Sequence, residues 1–163
     1  MHLSEALDIQ GRLTLRKTTI DHQLIEAVTA NNSIVLTGRE LVAKLFMKDV
    51  KETVQPVSHI AVGTGTTPVT PQNTSLSKEI FRKAIAPIDL GRDLQTIEID
   101  TPQGKSIRKK VLISTDLEPE EANGALTEAA LFTGSDIMYN RVTFDPVNKS
   151  ADFRLTLLWE ILF

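Results

Sequence analysis

The chain has 163 residues, the size of one ordinary domain, with 41% hydrophobic residues, 24% charged residues and a formal net charge of -3. That balance excludes an intrinsically disordered chain and gives no general electrostatic pull toward nucleic acid or an anionic membrane. The absence of cysteine excludes a disulfide framework, a thiolate nucleophile and a cysteine-based zinc site.

The opening stretch MHLSEALDIQGRL lacks the basic region and apolar run of a secretion signal, and no segment approaches the length of a membrane-spanning helix. Synthesis in the cytoplasm is therefore expected. Over residues 1–36, Ile20, Leu24 and Val28 share a face in either a strand or a helix, and strands are the favoured reading. The following LTGRELVAKLFM predicts a helix over residues 38–47. Thr37 is placed to N-cap, Glu40 to complete a capping box, and Leu36 with Leu41 to form a hydrophobic staple. Leu41, Val42, Leu45 and Phe46 then form the packed stripe, leaving Arg39, Lys44 and Lys48 in water.

From Val57 the pattern turns to short β-like runs separated by Pro, Gly and Asn. TPQG, residues 101–104, reads as the turn of a hairpin joining Ile97 and Ile99 to Ile107, Val111 and Ile113. At the end of the chain, Ala151, Phe153, Leu155, Leu157, Trp159, Ile161 and Phe163 alternate without a break, which predicts a strand from 151 to 163 buried on that face. The opposite face begins polar, with Asp152, Arg154 and Thr156, and becomes apolar at Leu158 and Leu162. A second layer is needed there, and the reading assigns the 38–47 helix to Leu158 and a neighbouring subunit to Leu162. The fold class expected is thus α+β, mostly β: a single antiparallel, sandwich-like domain over residues 1–163 with one capped helix and a long C-terminal strand.

IAVGTGTTPVTPQNTSL, residues 60–76, raises the question of phosphate binding. Gly63 and Gly65 match two positions of the dinucleotide fingerprint, but Pro68 occupies the third, and no lysine follows until Lys78. The segment reads instead as an exposed, partly extended connection. Its length, with Val69 as its one apolar anchor, marks Thr66, Thr67, Pro68, Val69 and Pro71 as interface candidates. Replacing its tip is expected to leave the fold intact.

Other constellations carry less. His2, His22 and His59 lack metal-ligand spacing, and DLEPEE, residues 116–121, lacks the alternating oxygens and glycine of a calcium loop. Arg108, Lys109 and Lys110 form a short basic run that reads as a solvated strand or turn. No catalytic residue, cofactor-binding residue or metal ligand is predicted, and no cofactor.

NNSIVLTGRELVAKLF, SHIAVGTGTTPVTPQNTSLSKEIFRKAI, GALTEAALF and YNRVTFDPVNKSADFRLTLLWEILF together resemble a family of small virion structural proteins of tailed bacteriophages, met among tail, baseplate and fibre components. The positions that carry the resemblance are Asn32, Gly38, Arg39, Gly63, Gly65, Leu76, Glu79 and Arg82, and it covers residues 31–163. Residues 1–30 fall outside it and are expected as an N-terminal extension or arm. The resemblance implies a non-enzymatic subunit that forms symmetric homo-oligomers and docks to neighbouring virion proteins, located in the virion and in the host cytoplasm during assembly. A receptor- or carbohydrate-binding fibre-tip module and a neck or head decoration protein are the alternatives. The 5% aromatic content disfavours stacking on sugars.

Overall fold

The structure is a computed structural model that describes residues 9–47 and 54–163. The alternation that ends the chain forms β9 (Arg154–Leu162), with Leu155, Leu157 and Trp159 fully buried and Ile161 nearly so. The strand is nine residues, shorter than the expected 151–163. Ala151 and Asp152 make a turn, and Phe163 is 37% exposed, so only Phe153 outside the strand joins the buried row.

β9 lies between β1 (Gln10–Thr18) and β6 (Gly104–Leu117), and Trp159 is paired across to Leu13 and Ile113. Residues 10–30 are therefore not an arm. β1 is hydrogen-bonded on both sides, to β9 and to β2 (Leu24–Ile34), and buries Leu13 and Leu15. Strands are the favoured reading realised here. The apolar residues beyond the core row are less well placed, because Ile20 and Leu24 are exposed and only Val28 packs against the core.

The remaining elements are α1 (Leu36–Lys44), β3 (Val57–Gly63), β4 (Glu79–Ala84), α2 (Leu90–Asp93), β5 (Leu94–Thr101), β7 (Gly124–Thr133) and β8 (Met138–Lys149). All pairings are antiparallel, in the order β4-β3-β7-β8-β2-β1-β9-β6-β5. β2 makes the join. It pairs with β1 from Leu24 to Asn32 and then with β8 through Ser33 and Ile34. The network divides there into two halves whose facing sides share one core: Leu13, Leu157 and Trp159 from one, Ile60, Leu131 and Val142 from the other. This is the mostly β, sandwich-like architecture expected. The predicted hairpin also forms, with Pro102 and Gln103 at the turn and Gly104 at φ +117°, a conformation that favours glycine.

α1 forms two residues earlier than expected and without the expected cap. Val35 holds the N-cap position with no side-chain hydrogen bond, while the Thr37 hydroxyl donates to the Met138 carbonyl of β8 at 2.7 Å. The cause is the close seat of the helix on β8. A Cβ at Gly38 would lie 2.0 Å from the Tyr139 carbonyl oxygen, so glycine admits the helix and brings Thr37 to a strand carbonyl. Leu41 is buried and Val42 packs against the core, but Leu45 and Phe46 end up exposed in the turn after the helix. Arg39 stays wet, Lys44 pairs with Glu40, and Lys48 lies outside the described residues. Thr37→Ala is expected to lower stability by about 1 kcal/mol through loss of a helix-to-sheet hydrogen bond. Urea denaturation measures it, and Thr37→Ser, which retains the donor, should recover most of the loss.

Candidate functional site

β7 and β8 each turn one row of side chains away from the common core, toward the connection between β3 and β4. In that row lie Ala130 and Phe132 on β7 and Met138 on β8, and Ala61, Val35 and Leu76 complete a second apolar cluster with them. The glycine-containing connection, residues 64–78, folds down over it. Two charged residues of the same row, Glu128 and Arg141, are buried to 0% and 1% exposure.

Glu128 is the fastening point. Its Oε1 accepts from the amides of Gly65 at 3.1 Å and Lys78 at 2.7 Å, and its Oε2 accepts from the Ser77 amide at 3.0 Å. Arg141 adds two charge-assisted bonds to Oε2, from Nε at 3.0 Å and Nη2 at 2.7 Å. The guanidinium then reaches into the connection, donating to the Thr67 carbonyl at 2.9 Å, the Asn73 side-chain oxygen at 2.9 Å and the Pro68 carbonyl at 3.3 Å. Thr127 donates to the Gly65 carbonyl, and the Leu36 amide of α1 to the Pro71 carbonyl.

The glycine segment thus binds an anion, and the anion is the chain's own carboxylate. Both glycines serve that contact: a Cβ would stand 2.7 Å from Glu128 Oε1 at Gly63 and 2.4 Å at Gly65. Burial acts to raise the Glu128 carboxyl, but the Lys78 and Ser77 amides and Arg141 outweigh it and hold the group below its ordinary value of 4.5. A depressed carboxylate contributes stability that is full above its ordinary value and is lost as pH falls through the folded one. Acid should therefore loosen this connection. Hydrogen exchange at the Gly65, Ser77 and Lys78 amides, corrected for its intrinsic pH dependence, is expected to lose protection as pH falls below about 4.5, and to change less with pH in a Glu128→Gln variant, which has already lost the charge.

The interface candidates separate into two places. Thr66, Thr67, Pro68 and Pro71 are exposed on the fastened connection, while Val69 is half-buried and, with Pro71, lines an open cavity of about 510 Å³ beside Asn31, Ser33 and Arg39. The tip is tied to the fold by Arg141, whose buried guanidinium donates to acceptors at residues 67, 68 and 73, so replacing residues 66–73 by a Gly/Ser linker is expected to cost at least the Asn73 side-chain acceptor. Leu158 and Leu162 lie on the far side of the other half, both half-buried. α1 packs on β8 rather than over Leu158, because Gly38 seats it there, so the helix is not the second layer for that strand. Leu158 sits between Thr14 and Ser114, and Leu162 lines a groove of about 310 Å³ with Ile97, Ile99 and Gly11. Between them, Glu160 joins Arg12 and Lys110. Burial acts to raise its carboxyl, but the two cations prevail and keep it low.

The remaining polar clusters are internal ties. Within DLEPEE, Glu118 pairs with Arg154 and Glu121 with Lys83, and the buried Lys149 ammonium donates to the Pro119 and Ser150 carbonyls and the Asn123 side chain. His59 contacts Ser58, His22 contacts Arg154, and His2 lies outside the described residues. Among the described residues, no three His, Asp or Glu side chains are grouped to hold a metal ion. No helix is long and apolar enough to cross a membrane among those residues.

No family model, curated protein or solved structure matches this chain.

Proposed function

We propose that the chain is a non-enzymatic structural subunit of a tailed-bacteriophage virion, of the tail, baseplate or fibre-attachment region, that self-associates and docks to neighbouring virion proteins. The observation that supports this reading is the work done by the residues that carry the resemblance. Gly38 seats α1 on β8, Gly63 and Gly65 admit the Glu128 carboxylate, and Leu76 anchors the connection. Arg82 pairs with Glu79 and Asp136 and lies 3.9 Å from the Phe132 ring centre. Each builds a scaffold that presents a fastened tip. A rigid tip suits assembly, because little conformational freedom remains to be lost on contact.

Two surfaces follow: the exposed Thr66–Thr67–Pro68 tip and the face bearing Leu158 and Leu162. Changing Leu158 and Leu162 together to Thr preserves strand preference while removing apolar area from that face. The variant is expected to keep its far-ultraviolet circular dichroism and to enter particles several-fold less often when expressed with the other virion genes. The reading itself is tested by tagging the chain in such particles. A fixed copy number in purified particles, with the label at the tail, baseplate or fibre attachment, supports it, whereas a chain absent from purified particles overturns it.

A further inference from the structure

β5 and β6 pair without a register shift from Leu94 with Val111 to Thr101 with Gly104. β5 ends the strand order, so β6 holds one of its edges and, among the described residues, no strand holds the other. The open edge lies on the side of the hairpin away from β9 and the rest of the sheet. A row of unpaired backbone groups on such an edge is a template for another strand.

The bonding within the hairpin fixes which groups face out. Lys109 exchanges both of its backbone bonds with Phe163, so the neighbouring Arg108 and Lys110 turn theirs to β5, where they meet Ile97 and Gln95. By the same alternation, the N–H and C=O groups of Thr96, Glu98 and Asp100 point to the open edge. The side chains of these three are exposed on one face of the hairpin, with Lys109, Ile107 and Lys105 paired beside them. Lys109 Nζ donates to the Thr96 hydroxyl at 2.6 Å, and Lys105 pairs with Glu98. On the other face, Ile97 and Ile99 are half-buried and line the groove with Leu162.

We propose that β5 is the contact of a two-fold dimer, in which the open edges of two copies pair antiparallel with Ile97 on the axis. Opposed residues must share a face, so the axis passes through a residue, and a long ladder places it at Ile97 or Glu98. Charge selects between them. With the axis at Glu98, that carboxylate meets its own counterpart, which is unfavourable. With the axis at Ile97, Glu98 faces Thr96 of the other copy at about 5 Å between Cβ atoms. The Lys109 ammonium of that copy already reaches over this threonine. Two Glu98–Lys109 contacts result, one on each side of the axis, and the outward groups of Thr96 and Glu98 bond to each other. Ile97 then meets Ile97 in the closer, non-hydrogen-bonded spacing. The bodies of the two copies stand on opposite sides of the joined edges, and the contact is isologous. This deepens the structural-subunit reading, which includes self-association, and rests on it.

The chain has no cysteine, so a single introduced thiol reads the register. Ile97→Cys should oxidise to a disulfide-linked dimer, because the closer antiparallel spacing holds Cα atoms about 4.5 Å apart, within disulfide reach. Ile99→Cys, opposite Gln95 of the other copy, should stay reduced under the same dilute oxidising conditions. By sedimentation velocity, the wild-type chain should form a dimer at rising concentration. Glu98→Lys and Lys109→Glu should each stay monomeric alone and dimerise when mixed, because both contacts are then attractive. The two substitutions in one chain should restore self-association. Circular dichroism reports whether each variant folds, and the Glu98–Lys105 pair lost in Glu98→Lys is exposed and contributes little. If a charge variant does not fold, the two cysteine variants decide. Linkage of Ile99→Cys as fast as Ile97→Cys, linkage of neither, or a wild-type chain that is monomeric at every concentration overturns the β5 contact. The structural-subunit reading is decided separately, by particle incorporation.

Discussion

Glu128→Ala is expected to lower the stability of the fold by about 3 to 5 kcal/mol, the range for removing one partner of a buried ion pair. Arg141, 1% exposed, would lose its carboxylate, and the Gly65, Ser77 and Lys78 amides their acceptor. The damage should be local before it is global. Hydrogen exchange at Gly65, Ser77 and Lys78 should rise well ahead of exchange in β9, since the core between the two halves is untouched. Arg141→Met should act similarly, but with Glu128 keeping its three amide donors. A denaturation midpoint unchanged by both substitutions would remove the fastening role assigned to the pair.

The second large effect is in the core. Trp159 is fully buried between Leu13 and Ile113, and Trp159→Ala should cost about 3 to 5 kcal/mol through lost burial and the cavity left behind. Trp159→Phe is the informative control. The indole N–H is buried without a hydrogen-bond partner, so phenylalanine removes an unsatisfied donor while keeping most of the ring volume. Its cost should stay below about 1.5 kcal/mol by guanidinium denaturation. A phenylalanine variant as unstable as the alanine variant would mean that the indole shape, not apolar volume, holds the two halves together.

What could be read from the chain follows the range of the forces involved. Leu155, Leu157, Trp159 and Ile161 declare a strand by alternation alone, and TPQG a hairpin by its turn residues, because both signals lie within a few residues. Thr37 misled for the converse reason. Its local role as a cap competed with a carbonyl 101 residues away at Met138, which no local pattern displays. Leu45 and Phe46 had the correct helical spacing for a buried stripe, but the helix ended at Lys44 and left them outside it. The candidate site was legible as a connection of unusual length, and its exposed threonines and prolines were read from composition. Its fastening was not legible. Glu128 in GALTEAALF and Arg141 in YNRVTF look like solvent-facing charges on two strands, and only the pairing of Ala130 with Arg141 brings the guanidinium to Glu128. Glu128 inside the mostly apolar run GALTEAALF was the available hint, while the Asn and Thr near Arg141 in YNRVTF gave none.

The neighbouring placement of β1 and β9 also gives the fold a direction of mechanical strength. Gln10 lies opposite Leu162 and Thr18 opposite Arg154, so tension applied at residues 10 and 162 opens the ladder from one end, one bonded pair after another. Tension applied at residues 18 and 162 instead loads the whole ladder in shear, and all its bonds must yield together. The β5–β6 hairpin passes the end of β9 at Lys109, bonded to Phe163, and so stands at the 162 end. A chain gripped there and at the far end of β1 resists pulling in its strong direction; gripped at the β5–β6 hairpin and at residue 10, it unzips.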